Sequence, residues 1–218
     1  GGRHRHDFNS KKDLKTTSQQ CVVCHQASDM DGRFEWDRDL TQFDDSRVGK
    51  QPYANTSEFC LRCHNDSHQQ KKWPIKHAGQ RDQSKRAEDH YRYVDAHGVR
   101  DGNADGLYHG LRAGRYAYQT VVDCVDCHTL HGTKNPSLLI ENSRQGVLLL
   151  DDAFRQQNWA VDVVGEDVSD LCVLCHEMKT VIDGGDTPTR NGLSGVHFNE
   201  GTNCLTCHNH GEEANKGL

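Results

Sequence analysis

The sequence has few of the apolar side chains from which protein interiors are usually built. Leu, Ile, Val and Phe together supply 41 of its 218 residues, a share below the ~20% that is associated with disordered chains. The mean hydropathy is correspondingly low, at -0.89. The net charge of -6 is nevertheless too small to hold such a chain open by self-repulsion. Either the protein is partly disordered, or something other than side chains forms its core.

Long apolar runs and methionine are also scarce. Residues 137–154 form the longest apolar-leaning stretch, but Arg144, Asp151 and Asp152 interrupt it, so nothing approaches the ~20 apolar residues of a membrane span. Clusters of Lys and Arg are balanced by nearby acids, which gives no indication of nucleic-acid binding. Met occurs only 2 times, whereas Cys occurs 10 times and His 15 times. The arrangement of these two residue types therefore carries the functional information.

Every cysteine belongs to a C-x-x-C-H motif, and the motif occurs five times. Two thiols three residues apart lie on about one helical turn. They can add to the two vinyl groups of one porphyrin, and the following imidazole can then reach the iron, so the motif is typical of c-type haem attachment. We predict five covalently bound haem c groups. The predicted thioether residues are Cys21, Cys24, Cys60, Cys63, Cys124, Cys127, Cys172, Cys175, Cys204 and Cys207, and the predicted proximal iron ligands are His25, His64, His128, His176 and His208.

Three other interpretations of the cysteines fit less well. A disulfide framework would not need a His after each pair, and bridges within C-x-x-C would close almost no loop. All-thiolate zinc sites use two such pairs each, and five pairs leave one without a partner. A thioredoxin-like redox motif would occur once, near a βαβ pattern. The haem interpretation accounts for every cysteine.

Haems also explain the low apolar content, because each is a large apolar body that can replace side chains in a core. We therefore predict the fold class of a multihaem cytochrome c: mostly coil with short helices and little strand, and a core of five stacked haems. A single pentahaem domain is expected over residues 1–218. Two weaker signals leave a calcium site and glycans open: residues 101–106 begin like a calcium loop, with Arg112 at the twelfth position, and Asn55 and Asn65 each start a glycosylation sequon.

The sixth ligand of each iron is predicted to be histidine, because ten His lie outside the motifs and Met is nearly absent. His97 and His109 are each followed by Gly, as His131 is. A Gly beside the ligand lets the backbone pass close to the ring face. We favour these two residues over His68 and His90, with His77 as a weaker candidate.

Several segments resemble one group of known proteins. Residues 124–139, C-V-D-C-H-T-L-H-G-T-K-N-P-S-L-L, resemble a segment of multihaem c-type cytochromes with paired C-x-x-C-H motifs, in which the second His commonly ligates a neighbouring haem. The resemblance points to His131 as a distal ligand. Residues 172–208 look like the paired unit itself, with His197 before the second motif, and the opening His6-Asp7-Phe8 is similar to the start of such proteins. His6 and His197 complete the distal candidates.

The expected function is electron transfer, since irons saturated by two imidazoles cannot bind a substrate. The paired segments resemble filament-forming extracellular cytochromes, which implies a homopolymer in which one subunit supplies an axial His to the next. His6 fits this role, because no His lies between His25 and Cys60. A soluble periplasmic pentahaem shuttle is the alternative, and a multihaem reductase is disfavoured because all five motifs end in His. The chain starts Gly1-Gly2, so we expect a removed signal peptide and export to the cell surface, the medium or the periplasm. The expected partners are other redox proteins or extracellular electron acceptors.

Overall fold

A computed structural model describes the chain in separate stretches. They are residues 6, 21, 24–25, 55–65, 67–70, 87–91, 97, 111–112, 114–116, 120–165, 167–176 and 204. The chain divides into two compact units. The first unit comprises residues 7–89, and the second comprises residues 1–6 together with 90–218. The predicted single domain over residues 1–218 stays a prediction.

Regular structure in the described stretches consists of short helices. The α-helices are α1 (Thr56–Cys60), α2 (Glu88–Tyr91), α3 (Cys124–Cys127), α4 (Asp152–Arg155) and α5 (Ser169–Cys175), and one 3-10 turn covers Pro136–Leu138. Extended segments meet only in isolated antiparallel bridges within these stretches, without forming a sheet. The prediction of a mostly coiled chain with short helices and little strand is confirmed for this part of the protein. None of the described helices has the length and apolarity required to traverse a bilayer.

In the first unit, α1 leads directly into the second C-x-x-C-H motif. The Asn55 side chain accepts a hydrogen bond from the Glu58 N–H at 2.9 Å and so caps the start of the helix. After the helix, Asn65 is fully buried: its Nδ2 atom donates to the Leu61 carbonyl at 2.8 Å, and its Oδ1 atom accepts from the His68 N–H at 2.7 Å. The amide nitrogen that a glycan would occupy on Asn65 is therefore enclosed and already bonded.

The second unit contains a small side-chain core that the sequence analysis did not predict. Residues 137–154, the apolar-leaning stretch, supply half of it, and the rest comes from Tyr116 before the third motif, from Val161, and from Leu174 within the fourth motif. Partly buried side chains, among them Phe154 and Trp159, pack around it. Its buried members are Tyr116, Ile140, Val147, Leu150, Val161 and Leu174. Packing of aliphatic and aromatic side chains thus holds this part of the chain, and the predicted haem core stays a prediction.

Buried polar side chains fix the loops around this core. Thr133 and Ser143 are fully buried, and Asn135 is almost so. The Asn135 Nδ2 atom donates to the carbonyls of Ile140 and Val161, each at 2.8 Å. Ser143 Oγ donates to the Arg155 carbonyl at 2.9 Å and accepts from the Trp159 N–H at 3.0 Å. Since these segments lack long helices and sheets, such side chains satisfy backbone groups that would otherwise be buried without partners.

Candidate cofactor-binding sites

Four of the five C-x-x-C-H motifs are described in full at their two cysteines and histidine, and all four share one backbone hydrogen bond. The N–H of the motif histidine donates to the carbonyl oxygen of the first cysteine. The distance is 2.9 Å at His25, 3.0 Å at His64, 2.9 Å at His128 and 3.0 Å at His176. This bond closes one helical turn, so the two thiols and the imidazole of each motif project from a single turn of chain. Two thiols and one imidazole on one turn are the donor set that a c-type haem requires.

The third and fourth motifs also share the way in which the chain leaves the helix. Helix α3 ends at Cys127 and helix α5 ends at Cys175. The next residue in each case is extended, with φ -116° and ψ 139° at His128, and φ -97° and ψ 122° at His176. Each of these histidines forms an isolated antiparallel bridge, with Leu139 and Leu111 respectively. The backbone of each of these two motif histidines is therefore held by a second segment of chain.

The ring of His128 is oriented by a hydrogen bond. Its Nδ1 atom lies 2.9 Å from the carbonyl oxygen of Ser137. A carbonyl oxygen can only accept, so Nδ1 carries a proton, and in the neutral imidazole Nε2 is then the unprotonated nitrogen. Metal-binding histidines usually hold their second nitrogen in this way. The residues of the third motif thus fit an iron ligated through Nε2 of His128.

The carboxylate of Asp126 is buried inside the third motif, with 2% of the residue exposed. One oxygen accepts from the Asp123 N–H at 2.9 Å, and the other accepts from the Leu148 N–H at 2.8 Å. Burial first, and Asp126 second, raise the pKa of the Tyr116 hydroxyl. Asp126 is a buried acidic residue of the candidate site that the sequence analysis did not identify. The signal in the sequence was an acidic residue between the two cysteines of the motif, directly after Val125.

The motif thiols are largely withdrawn from solvent and grouped within each unit. Burial raises the pKa of Cys24 to about 11 and that of Cys63 to about 12, and in Cys63 the nearby Cys24 adds to the effect. In the second unit, burial followed by the Asp126 carboxylate raises the pKa of Cys175 to about 12, while Arg112 opposes this. Burial and the neighbouring Cys175 raise the pKa of Cys127 as well. Within the first unit the first and second motifs therefore have neighbouring cysteines, and within the second unit so do the third and fourth motifs.

The fourth and fifth motifs meet at Cys172 and Cys204. A hydrogen bond between their thiols raises the pKa of Cys172 and lowers that of Cys204. The Sγ atom of Cys204 also lies 3.5 Å from the Ser169 hydroxyl. No disulfide bond joins any of the nine cysteines in the described part of the chain.

The predicted distal ligands are only partly described. His6 is half-buried, and His97 and His131 are exposed. The ring of His97 lies near that of His176, with 6.4 Å between the ring centres. By contrast, both ring nitrogens of the disfavoured His68 are engaged, by the Ser67 hydroxyl at 3.1 Å and the Glu88 carboxylate at 3.3 Å. The other predicted site residues lie outside the described residues: His77, His109, His197, Cys207 and His208.

Within the described stretches, no three His, Cys, Asp or Glu side chains converge in the manner of a protein-only metal site. No protein-family model matches the chain, and no curated protein or solved structure matches it either.

Proposed function

We propose that the protein is an electron carrier that holds five c-type haems, each iron ligated by two histidines, and that it assembles into an extracellular filament. The observation that carries the proposal is the single helical turn repeated in four motifs, in which the histidine N–H bonds to the first cysteine carbonyl. The hydrogen bond from His128 Nδ1 to Ser137 supports it, because it leaves the ring in the tautomer that a metal requires.

The chain's own residues would attach, orient and tune the cofactors. Each pair of thiols would form two thioether bonds to one haem, and the motif histidine would supply the proximal nitrogen. When bound, the haem irons supply reversible one-electron oxidation and reduction. The grouping of Cys127 with Cys175, and of Cys172 with Cys204, would place the haems of the last three motifs side by side. Neighbouring macrocycles exchange electrons without moving, which suits a conduit.

Haem content is tested on the native protein under denaturing conditions. The intact mass should exceed the polypeptide mass by five haem groups, and the ferric spectrum should be entirely low-spin. A Cys124→Ser, Cys127→Ser double variant should lose one haem mass and retain the others. A native protein without covalent haem would refute the proposal, and a high-spin ferric band in it would indicate an open iron and favour a reductase.

The assembly is tested separately by electron microscopy of the native protein. We propose that His6 ligates a haem of the adjoining subunit, so that subunits join head to tail. A head-to-tail interface that does not close into a ring gives an open helical filament. His6→Ala should abolish filaments and produce one high-spin iron per subunit, whereas the neighbouring His4→Ala should do neither. Native protein that remains monomeric at high concentration would instead favour a periplasmic shuttle.

A further inference from the structure

We propose that His97 and His176 are the two axial ligands of one iron, that of the haem attached to Cys172 and Cys175. This assignment rests on the proposed haem function and goes beyond it, because it pairs one distal histidine with one haem. The geometry that points to it is the 6.4 Å separation between the centres of the two imidazole rings.

The distance between the two ring centres matches that of two imidazoles bound to opposite faces of one haem iron. Two metal–nitrogen bonds of about 2 Å, with roughly 1 Å from each nitrogen to its ring centre, place the ring centres of such a pair about 6 Å apart. The planes of the two rings meet at 62°. Both planes of an axial pair contain the ligand axis, and rotation about that axis permits this angle.

A simple edge-to-face contact between two rings is the competing explanation, since its ring centres lie about 4.5–7 Å apart. The sequence decides between the two. His176 is the histidine of a C-x-x-C-H motif, so its ring is already committed to an iron in a haem-bearing protein. A second imidazole whose ring centre lies 6.4 Å away is then at the distance expected of the opposite axial ligand.

The backbone holds both histidines in place. The His97 carbonyl accepts from the Val122 N–H at 2.7 Å, and the Tyr91 hydroxyl donates to the Val122 carbonyl at 2.5 Å. On the other side, Arg112 donates from its N–H to the Cys175 carbonyl and from its Nε to the Val173 carbonyl, each at 2.9 Å. His97 is thus fixed to the segment that enters the third motif, while His176 ends the fourth motif. The haem between them would be clamped by both segments.

The test uses the native holoprotein and its ferric spectrum. His97→Ala should convert one haem of the five to the high-spin form, and added imidazole should restore the low-spin form. His97→Met should keep all five irons low-spin and raise the reduction potential of one haem, because His/Met ligation raises the potential. His68→Gln is the matched control and should change neither spectrum nor potential, since the His68 ring is already engaged by Ser67 and Glu88.

A second variant identifies the haem. In a Cys172→Ser, Cys175→Ser background, which should carry four haems, His97→Ala should add no high-spin iron. A five-haem His97→Ala protein that stays fully low-spin would overturn the assignment and leave the haem function intact. A new high-spin iron in the four-haem background would also overturn the assignment. A His97→Met protein with unchanged reduction potentials would do the same. Native protein that lacks haem would instead overturn the proposed function.

Discussion

The carbonyl oxygen of Ser137 lies 2.9 Å from Nδ1 of His128 and fixes the ring of the third motif's histidine. Ser137 adopts a left-handed backbone, with φ 53°, and Leu138 after it has φ 60°. Non-glycine residues adopt this conformation at a cost of about 1–2 kcal/mol each. The 3-10 turn that supplies the carbonyl acceptor for His128 therefore contains backbone strain. Strain of this kind is common at functional sites.

A proline at position 137 should disrupt this hydrogen bond. Proline restricts φ to about -65°, which is incompatible with the observed φ of 53°, so Ser137→Pro should move the carbonyl away from His128. Loss of the acceptor makes the imidazole a weaker donor. We expect a higher reduction potential for one haem, measured by spectroelectrochemical titration.

Ser137→Gly is the matched control, because glycine adopts the left-handed region readily. It should leave all potentials unchanged and should not lower the free energy of unfolding. Equal potentials in the Pro and Gly variants would contradict a role for Ser137 in orienting His128.

Replacement of the buried carboxylate by Asp126→Asn should affect both stability and potential. The new amide can accept from only one of the two N–H groups, of Asp123 and Leu148, that Asp126 now binds. A buried donor left without its partner costs about 1–3 kcal/mol, measured by denaturant unfolding. Removal of a buried negative charge also disfavours the ferric state, so the potential of one haem should rise.

Asp170→Asn provides the comparison for Asp126. Asp170 also accepts a backbone hydrogen bond, from the Asp162 N–H at 3.2 Å, but it is exposed at the start of α5. Solvent screens exposed charges, so both the potential and the free energy of unfolding should change little. If Asp170→Asn shifted the reduction potential as much as Asp126→Asn does, burial of the carboxylate would not be the cause of the shift.

Asn135→Asp should destabilise the second unit strongly. The Nδ2 atom of Asn135 donates to the carbonyls of Ile140 and Val161, and an aspartate would place its negative charge against both. We expect a loss of about 3 kcal/mol or more in the free energy of unfolding, the range for a buried charge without a partner. The loss should be smaller below about pH 4, near the ordinary aspartate pKa, because a protonated carboxyl can donate to one carbonyl.

The control for Asn135→Asp is Asn142→Asp. The Asn142 side chain accepts from the Arg144 N–H at 3.1 Å through its oxygen, and aspartate keeps that oxygen. Its free energy of unfolding should change by less than about 0.5 kcal/mol, as at most surface positions. Similar losses in the two variants would argue against the two Asn135 bonds as the source of the effect.

Gly146→Ala should disturb the third motif by direct overlap. A Cβ atom at this position would overlap sterically with the carbonyl oxygen of Asp126 and would lie 2.9 Å from the Ile140 side chain. Overpacking of this kind costs about 1–3 kcal/mol, and the spectrum of one haem should shift because Asp126 lies between the two cysteines. At Gly165 a Cβ would meet nothing within 4 Å. Gly165→Ala should therefore cost only the strain of its φ of 67°, with every haem spectrum unchanged.

The sequence analysis predicted the structure correctly where that structure depends on the spacing of nearby residues. The five C-x-x-C-H motifs predicted a turn that presents two thiols and one imidazole, and the four motifs described in full adopt that turn. The low apolar content predicted a coiled chain with short helices, as the described residues have. Both succeeded because the relevant interactions span only a few residues.

Interactions between distant segments could not be predicted in the same way. The core that joins Tyr116, Val147 and Leu174 has no periodic signal, because its members come from irregular loops. The preference for His97 over His68 came from a neighbouring glycine, yet nothing in the sequence paired His97 with His176.

The sequence by itself determined which side chains each described C-x-x-C-H turn presents, since the spacing of two thiols and one imidazole depends on one turn of backbone. Only the tertiary structure decided which groups from other segments act on each turn: the Ser137 carbonyl on His128, the Asp126 carboxylate on Cys175, and the ring of His97 near that of His176. These contacts arise when loops fold over one another. Which groups take part in them depends on packing and on the need to satisfy buried polar groups. Neither can be predicted from a local sequence pattern.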